Sequence, residues 1–174
     1  MVKTILCATD GSEHADRAVD WASDLAAKYG AELVLLYVMP HRPPSPELRH
    51  MAEVEHILDE AAPPPEGTQP AYSMGGIRKR LSENEAINAQ IFRELGERTL
   101  NHCKRHAEGR GVEKVKTVID DGDPAGRILE VAERESAGLI VMGRRGLGDV
   151  KSLILGSVTH KVSQLSERPC LTVP

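Results

Sequence analysis

The sequence predicts an α/β fold: an open five-stranded parallel sheet with helices on both faces. Three observations predict it. Short apolar runs alternate with stretches of helical periodicity along the chain, the mark of parallel strands joined by crossover helices. Aromatic residues make up only 3% of the sequence. The core must therefore be Leu, Ile, Val and Ala, which suits helices packed on a parallel sheet. Finally, the apolar runs are continuous rather than alternating, as expected of strands buried on both faces.

The first run, Thr4-Ile5-Leu6-Cys7-Ala8, reads as a strand. It ends in Thr9-Asp10-Gly11-Ser12, a turn able to cap a helix. Ala15, Ala18, Val19, Ala22, Leu25, Ala26 and Tyr29 follow at helical spacing, and Gly30 is placed to end that helix in the left-handed conformation. Glu32 to Val38 forms a second strand, apolar after its first residue. From Pro40 to Gly76 the composition changes, since eight of the eleven prolines fall there. We read this as an excursion, at about 40–80, from a single domain spanning 1–174. Within it, Ser45-Pro46 starts a short helix whose apolar stripe is Leu48, Met51, Val54 (or Glu55) and Leu58.

Ser82-Glu83-Asn84-Glu85 reads as a capping box, followed by a stripe of Ile87, Ile91, Leu95 and Thr99. That helix runs to about Ala107, and Gly109 and Gly111 end it. Val115 to Ile119 is the third strand. Asp120-Asp121-Gly122-Asp123-Pro124 is the next turn, with Asp123 capping a helix and Pro124 opening it. Ile128, Leu129 and Ala132 give that helix its buried face. Gly138 to Met142 is the fourth strand, Val158, Val162 and Leu165 mark the last helix, and Arg168 to Val173 is the fifth strand. In such sheets ligands bind at the C-terminal strand ends, where strand order reverses. The first and fourth strands are the expected neighbours there.

The net charge of −4 gives no electrostatic footprint for nucleic acid. No apolar run approaches membrane-spanning length. Cys7, Cys103 and Cys170 have no metal-ligand spacing, and Cys7 and Cys170 lie in apolar strands, which reads as buried thiols in a reducing, cytoplasmic compartment. The Asp120-Asp121-Asp123 cluster reads as a turn with a helix cap rather than a metal site. Trp21 belongs either between helix and sheet or on a helix surface, and Arg78-Lys79-Arg80 reads as a solvated cluster.

The most informative feature is Gly143-Arg144-Arg145-Gly146, nine further residues, then Gly156-Ser157. A strand runs into the first glycine and a helix follows the last. Glycines admit an anion close to the backbone, and a helix N-terminus offers unpaired N–H groups. Ser157 adds a hydroxyl, and the arginines add charge. These features together make a phosphate cradle.

Taken with Ile5-Leu6-Cys7-Ala8-Thr9-Asp10-Gly11-Ser12 at the start and Arg168-Pro169-Cys170-Leu171-Thr172-Val173 at the end, this glycine pattern resembles the ATP-binding branch of the universal stress proteins. The resemblance covers nearly the whole chain. It implies a Rossmann-like five-stranded fold, usually a homodimer whose closing strands pair across the axis. It also implies ATP as ligand, with or without Mg. Asp10 would then sit beside the ribose and adenine, with a cap of the first helix as its alternative reading. Ala8 and Thr9 would meet the adenine through their backbone, with Val38 lining the pocket and Met142 at the end of the fourth strand. Gly143, Arg145, Gly146, Gly156, Ser157 and Val158 would surround ribose and phosphates, with Thr159 at the phosphate end. Ala8 stands where many members carry Val or Pro. Arg144-Arg145 replaces a commoner small-residue-plus-His pair, and whether the arginines face phosphates or solvent is open from sequence.

The resemblance implies a nucleotide-dependent regulatory protein of the stress response. No general base, nucleophile or metal-binding carboxylate pair stands out, so slow ATP hydrolysis, or autophosphorylation on Ser157 or Thr159, is the most turnover expected. A related adenylating enzyme is the alternative, but its Ser-Gly-Gly-x-Asp-Ser loop is missing from Ala8-Thr9-Asp10-Gly11-Ser12. A nucleotide-free dimerisation module is the third reading. The expected partners are ATP and a second copy of the chain through its C-terminal strand, with neither nucleic acid nor membrane.

Overall fold

Five strands, β1 (Thr4–Ala8), β2 (Glu32–Met39), β3 (Val115–Asp121), β4 (Leu139–Gly143) and β5 (Cys170–Val173), form one sheet in the order β3-β2-β1-β4-β5. Every pairing is parallel. In this computed structural model the described residues are 2–40, 43–46, 49–50, 74–147 and 155–174. Among the described residues four longer helices accompany the strands: α1 (Glu13–Tyr29), α2 (Met74–Gly109), α3 (Pro124–Arg134) and α4 (Ser157–Leu165). The chain moves outward from β1 to β3 on one side, then returns to lay β4 and β5 on the other. Strand order therefore reverses between β1 and β4, as expected from the sequence.

The chain divides into two compact units, Met1–His41 with Gly96–Pro174, and Arg42–Leu95. The first holds the sheet. On one face Leu6, Val34, Leu36, Ile140 and Met142 pack with Ala125, Ile128, Val131 and Ala132 of α3 and Val162 of α4. The alternate residues Ile5, Cys7, Leu33, Leu35 and Val141 are buried too. They belong to the other face, which meets α1 through its small residues. Ala15, Ala18, Val19, Ala22 and Ala26 are all buried, so α1 lies close against the strands. Each fully buried Leu, Ile or Val contributes about 1.5–3 kcal/mol. Gly30 ends α1 at φ 61°, and its neighbour Ala31 donates to the Ala26 carbonyl at 2.9 Å.

In the second unit, the N–H of Arg49 donates to the Ser45 carbonyl at 2.9 Å, and Pro46, Arg49 and His50 are helical, which agrees with a helix opened at Ser45-Pro46. The stripe expected at Leu48, Met51, Val54 and Leu58 lies outside the described residues. Arg49 Nη2 donates to Asn88 Oδ1 at 2.9 Å, tying this segment to α2.

Several expectations need correction. The helix of the expected capping box already starts at Met74, so Ser82 lies in its interior rather than at its start. Lys79, Arg80 and Leu81 are good helix formers, and one interior Ser costs only about 0.5 kcal/mol. Among the α2 residues whose burial is described, Ile91, Phe92, Gly96, Leu100, Cys103 and Ala107 are buried; of the expected stripe Ile91 is among them, while Ile87, Leu95 and Thr99 are only half-buried. Asp120 and Asp121 are strand, because β2 continues to Met39 and gives them partners in Val38 and Met39. Val131 is fully buried in α3, where Leu129 was expected; Leu129 packs at the edge of that core. In α4 the buried residues are Thr159 and Val162. Leu165 is exposed, because the helix ends there, beyond its contact with the sheet. Tyr29 in the last turn of α1 is exposed, as is Trp21 on the helix surface.

Candidate functional site

The C-terminal ends of β1 and β4 lie side by side, with Ala8 opposite Met142. Ala8 also pairs with Leu36 of β2, and Val38 lies two residues further along that strand. The strand geometry continues one residue past β1: Thr9 N donates to the Leu36 carbonyl at 2.9 Å. The chain then turns. Gly11 N donates to Thr9 Oγ1 at 3.2 Å, and Ser12 N donates to Asp10 Oδ1 at 3.1 Å. Ser12, not Asp10, is the N-cap of α1, accepting from Ala15 N at 3.3 Å.

Asp10 acts across the switch point instead. Its Oδ2 accepts from Leu147 N at 2.9 Å, a residue of the glycine loop 137 positions away. Gly146 lies directly against the same oxygen, and a Cβ there would overlap it. One carboxylate thus holds the first strand's turn with one oxygen and the loop after β4 with the other.

Gly143 is pressed on the first turn of α1. A Cβ would stand 2.7–2.9 Å from the backbone of His14 and Ala15, well inside contact distance. Arg144 is a backbone hub. Its N–H donates to the Val173 carbonyl at 2.6 Å, extending the β4–β5 ladder, and its carbonyl accepts from Gly156 N at 2.9 Å. Thr159 Oγ1 donates to the Gly143 carbonyl at 2.9 Å and is buried. These bonds bring the start of α4 against the end of β4.

That helix start has no side-chain cap. Gly156 is the N-cap residue and has no hydroxyl or carboxylate to offer. The amides of Ser157, Val158 and Thr159 therefore lack intrahelical acceptors and carry the helix's positive partial charge. Beside them stand Arg144 and Arg145. The Nε of each is buried and has no hydrogen-bond partner among the described residues. Ser157 is exposed, and Val158 is half-buried against the core.

The neighbouring groups have other partners. Asp123 caps α3 by accepting from Gly126 N at 3.0 Å, and Lys161 of α4 donates to the same oxygen at 2.9 Å. The Lys161 hydrogen bond, then the Gly126 amide, hold the Asp123 carboxyl below its usual range. Asp120 accepts from its neighbour's amide. Among the described residues no three His, Cys, Asp or Glu side chains assemble as a metal site. Cys7 and Cys103 are buried and free, and burial pushes both thiols up, so they stay protonated at neutral pH. No described helix is long and apolar enough to cross a membrane.

The structure therefore gathers Thr9, Asp10, Gly143, Gly146, Gly156 and Thr159 by direct contact, with Ala8, Val38 and Met142 at the adjoining strand ends. Arg144 and Leu147 are the residues that sequence reasoning missed as parts of the framework. Both act through backbone groups, which every residue type carries, so no side-chain signal pointed to them.

The universal stress protein family model matches residues 1–174. Universal stress protein YxiE of Bacillus subtilis is 33% identical over 175 residues, covering 99% of both chains. Universal stress protein MJ0577 of Methanocaldococcus jannaschii is 30% identical over 99% of this chain and 95% of that one. The solved MJ0577 structure superposes with a TM-score of 0.61 at 29% identity, over 98% of this chain and 94% of that chain. A universal stress protein in complex with cAMP has the same fold, with a TM-score of 0.60 at 21% identity over 99% and 97% of the two chains. So does an Archaeoglobus fulgidus universal stress protein in complex with dAMP, with a TM-score of 0.56 at 16% identity over 100% and 98%.

Proposed function

Because the chain belongs to the universal stress protein family, we propose that it binds an adenine nucleotide, ATP, at the C-terminal ends of β1 and β4 and acts in the cytoplasm as a nucleotide-dependent regulator of a stress response. The observation that carries this reading is the uncapped start of α4, held against Arg144 by the Gly156 hydrogen bond of 2.9 Å. Three amides without intrahelical acceptors and a glycine N-cap make a place for an anion, with Arg144 and Arg145 on the adjoining loop to add charge. Complexes of two structural relatives with cAMP and dAMP support an adenine nucleotide as its source.

In this reading Ala8, Thr9, Val38 and Met142 meet the base. Asp10 meets the ribose. A carboxylate has about four lone-pair sites, so two backbone donors leave it room for a hydroxyl. Gly143, Arg145, Gly146, Gly156, Ser157, Val158 and Thr159 take the ribose and phosphates. Mg enters only as the ion that accompanies ATP, where it would neutralise phosphate charge.

The chemistry favours binding over turnover. Both Asp10 oxygens accept backbone N–H groups, which makes the carboxylate a tether between two loops. Thr159 is buried and donates to Gly143 O, so it is no phosphate acceptor; Ser157 is the exposed hydroxyl of the pair.

Purified protein is tested for nucleotide that co-elutes, by mass spectrometry, and for binding of added ATP, by calorimetry. We expect ATP-class nucleotide or clear binding heat. Gly156→Val should weaken ATP by more than about tenfold, roughly 1.4 kcal/mol. Circular dichroism checks its fold, and Gly156→Ala provides a milder second variant, since a Cβ there stands 3.2 Å from Arg144 O. Protein that is empty and silent to ATP, or a folded Gly156→Val chain with undiminished affinity, contradicts the reading.

A further inference from the structure

The chain has one Trp, three Tyr and one Phe, and α1 holds two of these aromatics out in solvent. Trp21 is 56% exposed and Tyr29 is 50% exposed. Leu25, half-buried, stands between them at the same four-residue interval, so the three form one stripe along the helix. Trp and Tyr are enriched among the residues that anchor protein interfaces.

The two flanks of α1 fix where this stripe lies. One flank belongs to α2: Asp20 meets His106 at 2.6 Å and Arg110 at 2.8 Å, and Asp24 meets Arg110 at 2.7 Å. On the other side Arg17 Nε donates to Pro174 O at 2.6 Å, just past β5. Trp21 is one turn on from Arg17, on the same side of the helix. α1 joins the end of β1 to the start of β2, so it runs antiparallel to the strands. Trp21 therefore lies about 6 Å back along the sheet from Arg17, or about two strand residues, level with Thr172. Cys170 packs on the α3–α4 face of the sheet, so Leu171 projects on the α1 face, where it is half-buried. Trp21, Leu25 and Leu171 thus border the outer edge of β5, which no described strand covers.

The occupant that fits is a second copy of this chain. The carbonyls of Pro169 and Val173 bond to β4, which leaves the backbone groups of Cys170 and Thr172 turned outward. Pairing two such four-residue edges buries far less than the roughly 800 Å² per partner of a stable dimer. The flanks must supply the rest. In an antiparallel β5–β5 pair the two-fold axis is normal to the sheet, so both copies present α1 on the same face. α1 sits mainly over β4. The two α1 axes are then three strand spacings apart, about 14 Å. Helices in direct contact are about 8–10 Å apart. The gap calls for large side chains, and Trp is the largest. An axis at Leu171, midway between the outward-facing Cys170 and Thr172, brings Trp21 of both copies to the seam.

We propose that the Trp21–Leu25 flank of α1 is a docking surface for a second copy of this chain, covered by the same flank of that copy when the two β5 edges pair. It does not depend on the nucleotide reading.

Trp21 is its own probe, since no other tryptophan contributes to the fluorescence. Emission and acrylamide quenching are followed from nanomolar to high micromolar protein, beside sedimentation velocity. We expect blue-shifted, poorly quenched emission in the dimer, and red-shifted, readily quenched emission on dilution, in step with the loss of dimer. Trp21→Ser should weaken dimerisation at least about tenfold. Trp21→Phe keeps most of the apolar area and should weaken it less. Thr172→Pro, which blocks strand pairing, should leave Trp21 as quenchable as in dilute wild type. Circular dichroism confirms that each variant folds. A dimer whose Trp21 stays as quenchable as in the monomer overturns the proposal. A Trp21→Ser chain that dimerises as tightly as wild type also overturns it; if Thr172→Pro abolishes the dimer in that case, strand pairing stands without the helix flank. A wild-type chain that is monomeric throughout overturns both.

Discussion

Asp10 shows how one residue's sequence context can point the right way and still misname its part. Read in the chain, it follows the first strand and precedes a helix, so cap and ligand contact are the two natural roles. In the fold, Ser12 is the cap, while Asp10 joins two loops that are far apart in sequence. Such a role depends on a backbone amide at Leu147, and amides are invisible in a side-chain alphabet. Asp10→Asn sharpens the point. It keeps one acceptor oxygen, but the amide nitrogen cannot accept from Ser12 N or Leu147 N. One of the two bonds is lost, at a cost of about 1–3 kcal/mol for a hydrogen bond to a charged group. We expect faster hydrogen exchange at the Leu147 amide, with the α1 amides beyond its first turn unchanged, together with weaker ATP binding. Unaltered protection at Leu147 would show that the loop holds its place without Asp10.

At the scale of elements, the strands were legible to within two residues because each is an apolar run between turn residues. The helices were legible where small or polar punctuation marks their ends, as at Ser12, Gly30, Asp123 and Pro124. The glycine cradle was legible for the same reason, since Gly143, Gly146 and Gly156 stand at fixed offsets from a strand and a helix. α2 was misread on both counts. Its start falls at Met74-Gly75-Gly76, where the glycines read as loop, and the residues read as a capping box lie inside it. Its buried positions include Gly96, Cys103 and Ala107, which do not advertise themselves as an apolar stripe. Gly96 has a structural reason to be glycine. A Cβ there would stand 2.7 Å from Cδ1 of Tyr37 and 3.1 Å from Cε1. Tyr37 is buried in β2, so its ring has little freedom to withdraw. In an exposed helix interior Gly→Ala gains about 1 kcal/mol. Here the sign should reverse, because overpacking costs about 1–3 kcal/mol. Gly96→Ala is expected to lower the denaturant midpoint at constant slope. A variant as stable as wild type, or more so, would mean that the ring yields.

The whole molecule ends its sheet on β5, and no described strand pairs with that strand's outer edge. The hydrogen-bond pattern says which groups that edge presents. Ile140 N donates to the Pro169 carbonyl at 3.0 Å, and Arg144 N donates to the Val173 carbonyl at 2.6 Å. Backbone groups of one residue point to one side of a strand and those of the next to the other. Pro169, Leu171 and Val173 therefore face β4, while Cys170 and Thr172 turn their N–H and C=O outward. A short edge with free donors and acceptors invites a partner strand. A second copy related by a two-fold axis supplies one in closed form. Pro169 and Pro174 bracket the edge, so the pairing can involve only a few residues. We therefore expect a homodimer joined at β5. Thr172→Pro probes it cleanly, because it removes an outward donor while the β4 ladder keeps its bonds through Leu171 and Val173. Light scattering over a concentration series should show wild type as a dimer and Thr172→Pro shifted towards monomer, with circular dichroism unchanged. Wild type that stays monomeric at high micromolar concentration contradicts the expectation, and so does a Thr172→Pro chain that dimerises as tightly as wild type.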